Sequence, residues 1–209
     1  MMSEKPVLLL IAGYPGSGKT ALAQWICRQW TEFHLLSPDV FKEKFWNRKG
    51  FSNEQEKGRL ERLAWQAYYY ELELCMQQQR DVISEYPFSC KQYGHLQRLL
   101  QKYPYIPMTI RLKATEKTLF LRQQRRNQIP GRHAGHLASA WKPDGQAIFI
   151  SKKDSQLNFE DFCHFCAQRG YADFSLGKLF EIDVNDFSHI NYDSILAAIQ
   201  KIKRPIVEK

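Results

Sequence analysis

The sequence predicts an α/β fold, a three-layer sandwich with helices on both faces of a five-stranded parallel sheet. Three observations predict it. Short apolar runs alternate along the chain with amphipathic stretches of helical period. The first run, Val7-Leu8-Leu9-Leu10-Ile11-Ala12, has no polar position, as expected of a parallel strand buried on both faces. It passes straight into Gly13-Tyr14-Pro15-Gly16-Ser17-Gly18-Lys19-Thr20, which fits G-x-x-x-x-G-K-[ST], the P-loop of nucleoside-triphosphate-binding domains.

The elements follow in order. After the loop, Leu22, Trp25, Ile26, Trp30 and Phe33 fall at helical spacing. His34-Leu35-Leu36-Ser37 is a short second strand that ends at Pro38-Asp39. A long helix is expected from about Ser52, an N-cap candidate ahead of Glu54 and Glu56, to about Gln79. Its apolar stripe reads Leu60, Leu63, Ala64, Ala67, Leu74 and Cys75. Residues 81–85 form the third strand, 91–102 a helix, and 108–112 the fourth strand, with Thr115 placed to cap the next helix. Residues 179–184 are the fifth strand and 192–202 the closing helix. Only 141–176 departs from this alternation. It holds a Pro143-Asp144-Gly145 turn, a strand or hairpin arm at 147–150 and a helix near 159–168.

The P-loop residues carry specific chemistry. Glycines at 13, 16 and 18 let the backbone curl so that several N–H groups face one phosphate, and the helix dipole adds to that field. Lys19 then reaches the β- and γ-phosphates, and the Thr20 hydroxyl is a ligand for Mg²⁺. Residues 13–20 are therefore the expected ATP-binding set, with ATP and Mg²⁺ as cofactors.

Three further segments point to phosphoryl transfer. Asp39, just beyond the second strand, lies where ligands sit in such sheets. It is the expected base for a substrate hydroxyl, with Lys42 one turn later to hold an anionic group of the acceptor. The alternative is that Asp39 only caps the following helix. Glu85 ends the strand expected beside the P-loop strand and is the second metal-ligand candidate, in the manner of a Walker-B acid. Residues 117–143 contain Lys117, Arg122, Arg125, Arg126, Arg132 and Lys142 and no acid. They are expected to form a lid that closes over the triphosphate, mobile without nucleotide and ordered with it. Arg122, Arg126 and Arg132 would stabilise the transferring phosphoryl group.

These segments resemble the small P-loop kinases of the zeta-toxin, polynucleotide-kinase and chloramphenicol-phosphotransferase group, including bacterial members described only as ATP-binding proteins. The resemblance rests on 13–20, on Ser-Pro-Asp-Val-Phe-Lys at 37–42, on Asp-Val-Ile-Ser-Glu at 81–85, on Arg122 through Arg126, and on Gly-Arg-His-Ala-Gly-His at 131–136. It implies a strand-two Asp as base and lid arginines as clamps. One departure bears on specificity. Polynucleotide kinases carry an Arg one turn after the base, whereas this chain has Lys42, which lacks the planar fork.

Composition narrows the reading. The 209 residues suit one domain, 1–209, and the net charge of +8 suits an anionic partner. No apolar run approaches a membrane span, and Met1-Met2-Ser3-Glu4-Lys5 lacks the basic and long apolar regions expected of a signal peptide. Five cysteines without a regular framework fit a reducing cytoplasm. The expected activity is ATP-dependent phosphorylation of a small-molecule hydroxyl. A 5′-hydroxyl kinase of nucleic acid and an ATPase switch or adaptor are the rivals. Cys163-His164-Phe165-Cys166 lacks the second ligand pair of a structural zinc site. Tyr68-Tyr69-Tyr70 is expected as core or groove wall, and Lys201, Lys203, Arg204 and Lys209 as a solvated basic tail.

Overall fold

A computed structural model describes residues 5–128, 132–148 and 158–203. Its main sheet has five parallel strands in the order β2-β3-β1-β4-β7. They are β1 (Val7–Gly13), β2 (His34–Leu36), β3 (Val82–Glu85), β4 (Ile106–Lys113) and β7 (Lys178–Asp183). β1 is central and every one of its residues is buried. A continuous apolar run is the only kind of strand that could occupy that place.

Alternate residues of β1 feed two cores. Val7, Leu9 and Ile11 pack under α1 (Lys19–Gln29) and the closing helix α7 (Tyr192–Lys203), with Leu22, Ala23, Ile26, Ile195 and Ile199. Leu8, Leu10 and Ala12 face the opposite layer, α3 (Glu54–Gln77) and α4 (Cys90–Lys102), through Tyr68, Leu72, Leu96 and Leu99. The chain therefore leaves β1 and its neighbour β3 toward opposite faces. That divergence opens a crevice at the carboxyl ends of the two strands, where open α/β sheets bind ligands.

Several details differ from the sequence expectation. The cap of α3 is Asn53 rather than Ser52: the Asn53 carboxamide oxygen accepts from the Glu56 N–H at 2.9 Å, and Glu56 answers by accepting from Ser52 N–H. Leu63 is exposed, and the buried face of α3 is Leu60, Ala64, Tyr68, Leu72, Cys75 and Met76. A Ser89–Gln92 capping box starts α4. Thr115 does cap α5 (Glu116–Gln128), accepting from the Thr118 N–H.

Residues 38–49 form a helix of their own, α2 (Pro38–Lys49), with Pro at its first position. The 141–176 stretch holds a two-stranded antiparallel hairpin, β5 (Ala140–Trp141) with β6 (Ala147–Ile148), and α6 (Phe159–Arg169). Gly131, Phe149, Ile150, Arg204 and Lys209 lie outside the described residues. Lys203 is not solvated: its ammonium lies 2.7 Å from Asp81 and 2.8 Å from Glu32. Among the described residues no helix is long and apolar enough to cross a membrane.

Candidate active site

The P-loop turns from β1 into α1 through backbone that only glycine adopts easily. Gly16 has φ +83°, and a Cβ there would stand 2.6 Å from the Leu119 carbonyl of α5. Gly18, at φ +90°, is the N-cap of α1 and supplies no side chain to its first turn. No acidic residue occupies that turn either. The orphan N–H groups of α1 are thus left for an external anion. Lys19 folds back over the loop and donates to the Tyr14 carbonyl at 2.8 Å. Burial pulls its pKa down to about 8, against the attraction of Glu85.

Two carboxylates face the loop. Glu85 pairs in register with Ile11 of β1, so the end of β3 stands beside the start of the P-loop. Glu85 is buried and receives hydrogen bonds from the Ser37 hydroxyl at 2.7 Å and from Thr20. Burial pushes its carboxyl above the usual range, while Ser37 and Lys19 pull it back. Thr20, Glu85 and Ser37 together offer hard oxygen donors around a desolvated carboxylate. That chemistry suits Mg²⁺.

Asp39 lies in the first turn of α2, and its carboxylate turns away from the helix backbone toward Lys42, 3.0 Å away. Burial raises the Asp39 carboxyl, but Lys42, His136 and Arg126 outweigh it, so the group stays below the ordinary carboxylate range. Lys42, singled out as an acceptor contact, is itself buried and donates to Asp39 and to the Tyr86 hydroxyl at 2.8 Å. Its ammonium is held charged by those two partners despite burial.

The 117–143 stretch divides in two. α5 carries Arg122, Arg125 and Arg126 along the cleft. Arg122 donates to the carbonyls of Val184 and Asn185 and stacks on the Phe187 ring at 3.8 Å. The second part, 132–141, docks on α2. His133 meets Asn47 and His136 meets Glu43, each at 2.8 Å. Trp46 lies beneath both imidazoles, and Trp141 bridges to Phe51 backbone to backbone. Arg132 projects from this docked part, and its Nε and Nη1 have no hydrogen-bond partner among the described residues. Burial and Arg126 lower its pKa to about 10, opposed by Asp39 and Glu43.

The site opens into a cleft of about 1000 Å³. Lys19, Thr20, Asp39, Lys42, Glu85, Arg122, Arg126 and Arg132 all border it. Pro15, Gly16 and Gly18 border it too; Gly13, Tyr14 and Ser17 support the loop from behind, Tyr14 against Tyr171. Sequence reasoning did not single out Ser37, Tyr86, Tyr171 or Phe187 as site residues. Ser37 and Tyr86 adjoin motif residues and were findable by that adjacency; nothing in the sequence marks Phe187. Cys166 is buried against the P-loop side of α5 and α6, and His164 pairs with Gln168, so neither is arranged as a metal ligand.

No curated protein matches the chain in sequence. Solved structures share its fold. A provisionally assigned kinase from Chloroflexus aurantiacus J-10-fl is 24% identical, with a TM-score of 0.74 over 94% of this chain and 98% of that one. A sugar kinase from Janibacter sp. HTCC2649 is 10% identical, with a TM-score of 0.53 over 93% of each chain. A gluconokinase from Sinorhizobium meliloti 1021 is 11% identical, with a TM-score of 0.50 over 96% of this chain and 90% of that one. The fold is therefore that of the P-loop kinases. The AAA domain family matches residues 8–141, from the core of β1 through the P-loop, α5 and β5. With well over half of its length inside that match, the chain belongs to the AAA domain family.

Proposed function

We propose that the protein is an ATP-dependent phosphotransferase that moves the γ-phosphoryl of ATP to a hydroxyl of a small-molecule acceptor. The observation that carries this reading is a second carboxylate in the cleft, Asp39, held ionised beside Lys42 and separate from the Glu85 that meets Thr20. A simple ATPase has no need of a second carboxylate there. In an in-line displacement the attacking hydroxyl approaches from opposite the leaving diphosphate, which is where a base must stand.

The roles follow from placement. The α1 N–H groups and Lys19 bind the β- and γ-phosphates, and Lys19 swings from the Tyr14 carbonyl to do so. Thr20 and Glu85, with Ser37 behind, would hold Mg²⁺. Bound there, the ion neutralises charge on the phosphates. Asp39 accepts the acceptor's hydroxyl proton, and Lys42 with Tyr86 fixes its position. Arg126 acts on Lys19, Asp39 and Arg132 alike, which suits a clamp on the transferring group. Arg132 belongs to the acceptor side, since the charges acting on it are Arg126, Asp39 and Glu43. A cytoplasmic location accords with an ATP-fuelled reaction and free thiols. The narrower likeness to the zeta-toxin, polynucleotide-kinase and chloramphenicol-phosphotransferase group, resting on residues 13–20, 37–42, 81–85, 122–126 and 131–136, is part of the same proposal.

The test is transfer from γ-labelled ATP to a panel of sugars, sugar acids, hydroxylated antibiotics and 5′-hydroxyl oligonucleotides. Labelled small-molecule product that disappears in Asp39→Asn supports the reading. Labelling of oligonucleotides alone would replace it with a nucleic-acid kinase. Hydrolysis without any labelled acceptor, unchanged in Asp39→Asn, would replace it with an ATPase switch.

A further inference from the structure

At the end of the sheet opposite the cleft, β2 opens with His34. Side chains alternate across a strand. Leu36 packs in the core beneath α3, and Leu35 packs against the α1 layer. His34, two residues before Leu36, therefore faces α3. On α3, Glu71 and Cys75 are one turn apart and share a face. The imidazole nitrogen, a Glu71 carboxylate oxygen and the Cys75 Sγ all lie within 4.8 Å of one another. None of the three takes part in the cleft chemistry. Cys75 is 2% exposed, while His34 and Glu71 are half-buried and leave a path to water.

We propose that His34, Glu71 and Cys75 form a divalent-cation site of zinc type, with water as the fourth ligand, fastening edge strand β2 to α3. The donor set selects the metal. Thiolate and imidazole with one carboxylate suit zinc, whereas Mg²⁺ and Ca²⁺ demand oxygen ligands throughout. Metal–ligand bonds of about 2.0–2.3 Å in a tetrahedron hold donors roughly 3.3–3.8 Å apart. The present donors, all within 4.8 Å of one another, stand about an ångström from that spacing, and the two half-buried side chains are the ones with room to close it. Binding breaks the Cys75 S–H bond, forms a sulfur–metal bond and releases the proton to solvent. β2 is only three residues long and leads directly to Ser37 and Asp39. A bound ion would anchor the strand that delivers the base.

The experiment uses the full chain, freed of metal with chelator and titrated with Co²⁺ and then Zn²⁺. We expect a thiolate-to-cobalt absorption band and the intense visible bands of a four-coordinate ion, both bleached by Zn²⁺. Zn²⁺ should also raise the melting temperature. Cys75→Ser should abolish the near-ultraviolet band. Glu71→Gln and His34→Ala, on half-buried positions and so less disruptive, should each weaken binding about tenfold or more. Absence of a thiolate band in the unaltered chain overturns the proposal. So does a band that persists in Cys75→Ser, which would put the ion on Cys27, Cys90, Cys163 or Cys166. Equal affinity in Glu71→Gln and His34→Ala overturns it as well. None of these readouts depends on phosphotransfer.

Discussion

The Ser37 hydroxyl donates to the Glu85 carboxylate at 2.7 Å, so one hydrogen bond joins the carboxyl ends of β2 and β3. Two residues beyond Ser37 stands Asp39, and Glu85 faces Thr20 and Lys19. The proposed base and the proposed metal ligand are thereby held in one frame. Ser37→Ala should lower turnover without unfolding the protein, because it frees both ends at once. Removal of one hydrogen bond to a charged group costs about 1.5–3 kcal/mol. Steady-state kinetics beside a denaturation curve would separate the two effects.

Asp39→Asn should reduce turnover by roughly a hundredfold or more, the scale of a lost general base. ATP affinity should stay within about twofold, since Asp39 pairs with Lys42 and not with the P-loop. Weakened ATP binding at normal turnover would reduce Asp39 to an anchor for Lys42.

Lys19 gives a pH signature. Its pKa in the free protein is about 8, below its ordinary value of 10.5. Phosphates favour the charged ammonium, so ATP binding near pH 8 should take up a proton, and affinity should fall as pH rises through that value. Calorimetry in buffers of different ionisation enthalpy measures the uptake, and Lys19→Ala should remove it. The sign for folding is the same as for a carboxylate with a depressed pKa, and opposite to that of a lysine whose pKa is raised by a partner. Between pH 8 and 10.5 the unfolded chain holds a proton that the folded one does not, so this group makes stability rise with pH there.

Arg132→Ala should raise the KM for the acceptor about tenfold or more and leave the KM for ATP nearly unchanged, the scale of one charge-assisted hydrogen bond. The reverse pattern would move Arg132 to the triphosphate.

Trp46→Ala should destabilise the fold by about 3–5 kcal/mol, as for other fully buried aromatics. Trp46 is 1% exposed and supports His133, His136 and Phe51. Without nucleotide, the amides of Leu137, Ala138 and Trp141 should already resist hydrogen exchange, since all three donate to backbone carbonyls. In the variant they should exchange freely.

The sheet and the P-loop were legible because their signals are local. A run of apolar residues and a glycine pattern need no distant partner to be read. Glu85 could be placed beside the P-loop for the same reason, from strand order alone. What escaped depends on tertiary neighbours. Leu63 fits a helical stripe as well as Tyr68 does, and only the packing of α2 and the sheet decides which is buried. The 117–143 segment reads as one cationic lid, yet its second half is fixed by Asn47, Glu43 and Trp46, far upstream in sequence. Lys203 reads as part of a charged tail because Asp81 and Glu32, which hold it, lie over a hundred residues away.

Asp81 sits at the other end of β3 from Glu85. One of its oxygens accepts from the Val7 amide, and the other pairs with Lys203. The first strand and the last helix are thus fastened to the same carboxylate, at the pole away from the cleft. The polypeptide can therefore be re-threaded: a short linker from the end of α7 to the start of β1, with new ends opened at the exposed Asp144-Gly145 turn, crosses no core. Such a circular permutant should keep its sheet order, and in it the proposed phosphoryl-transfer groups would stay as far from the junction as the length of β3 allows.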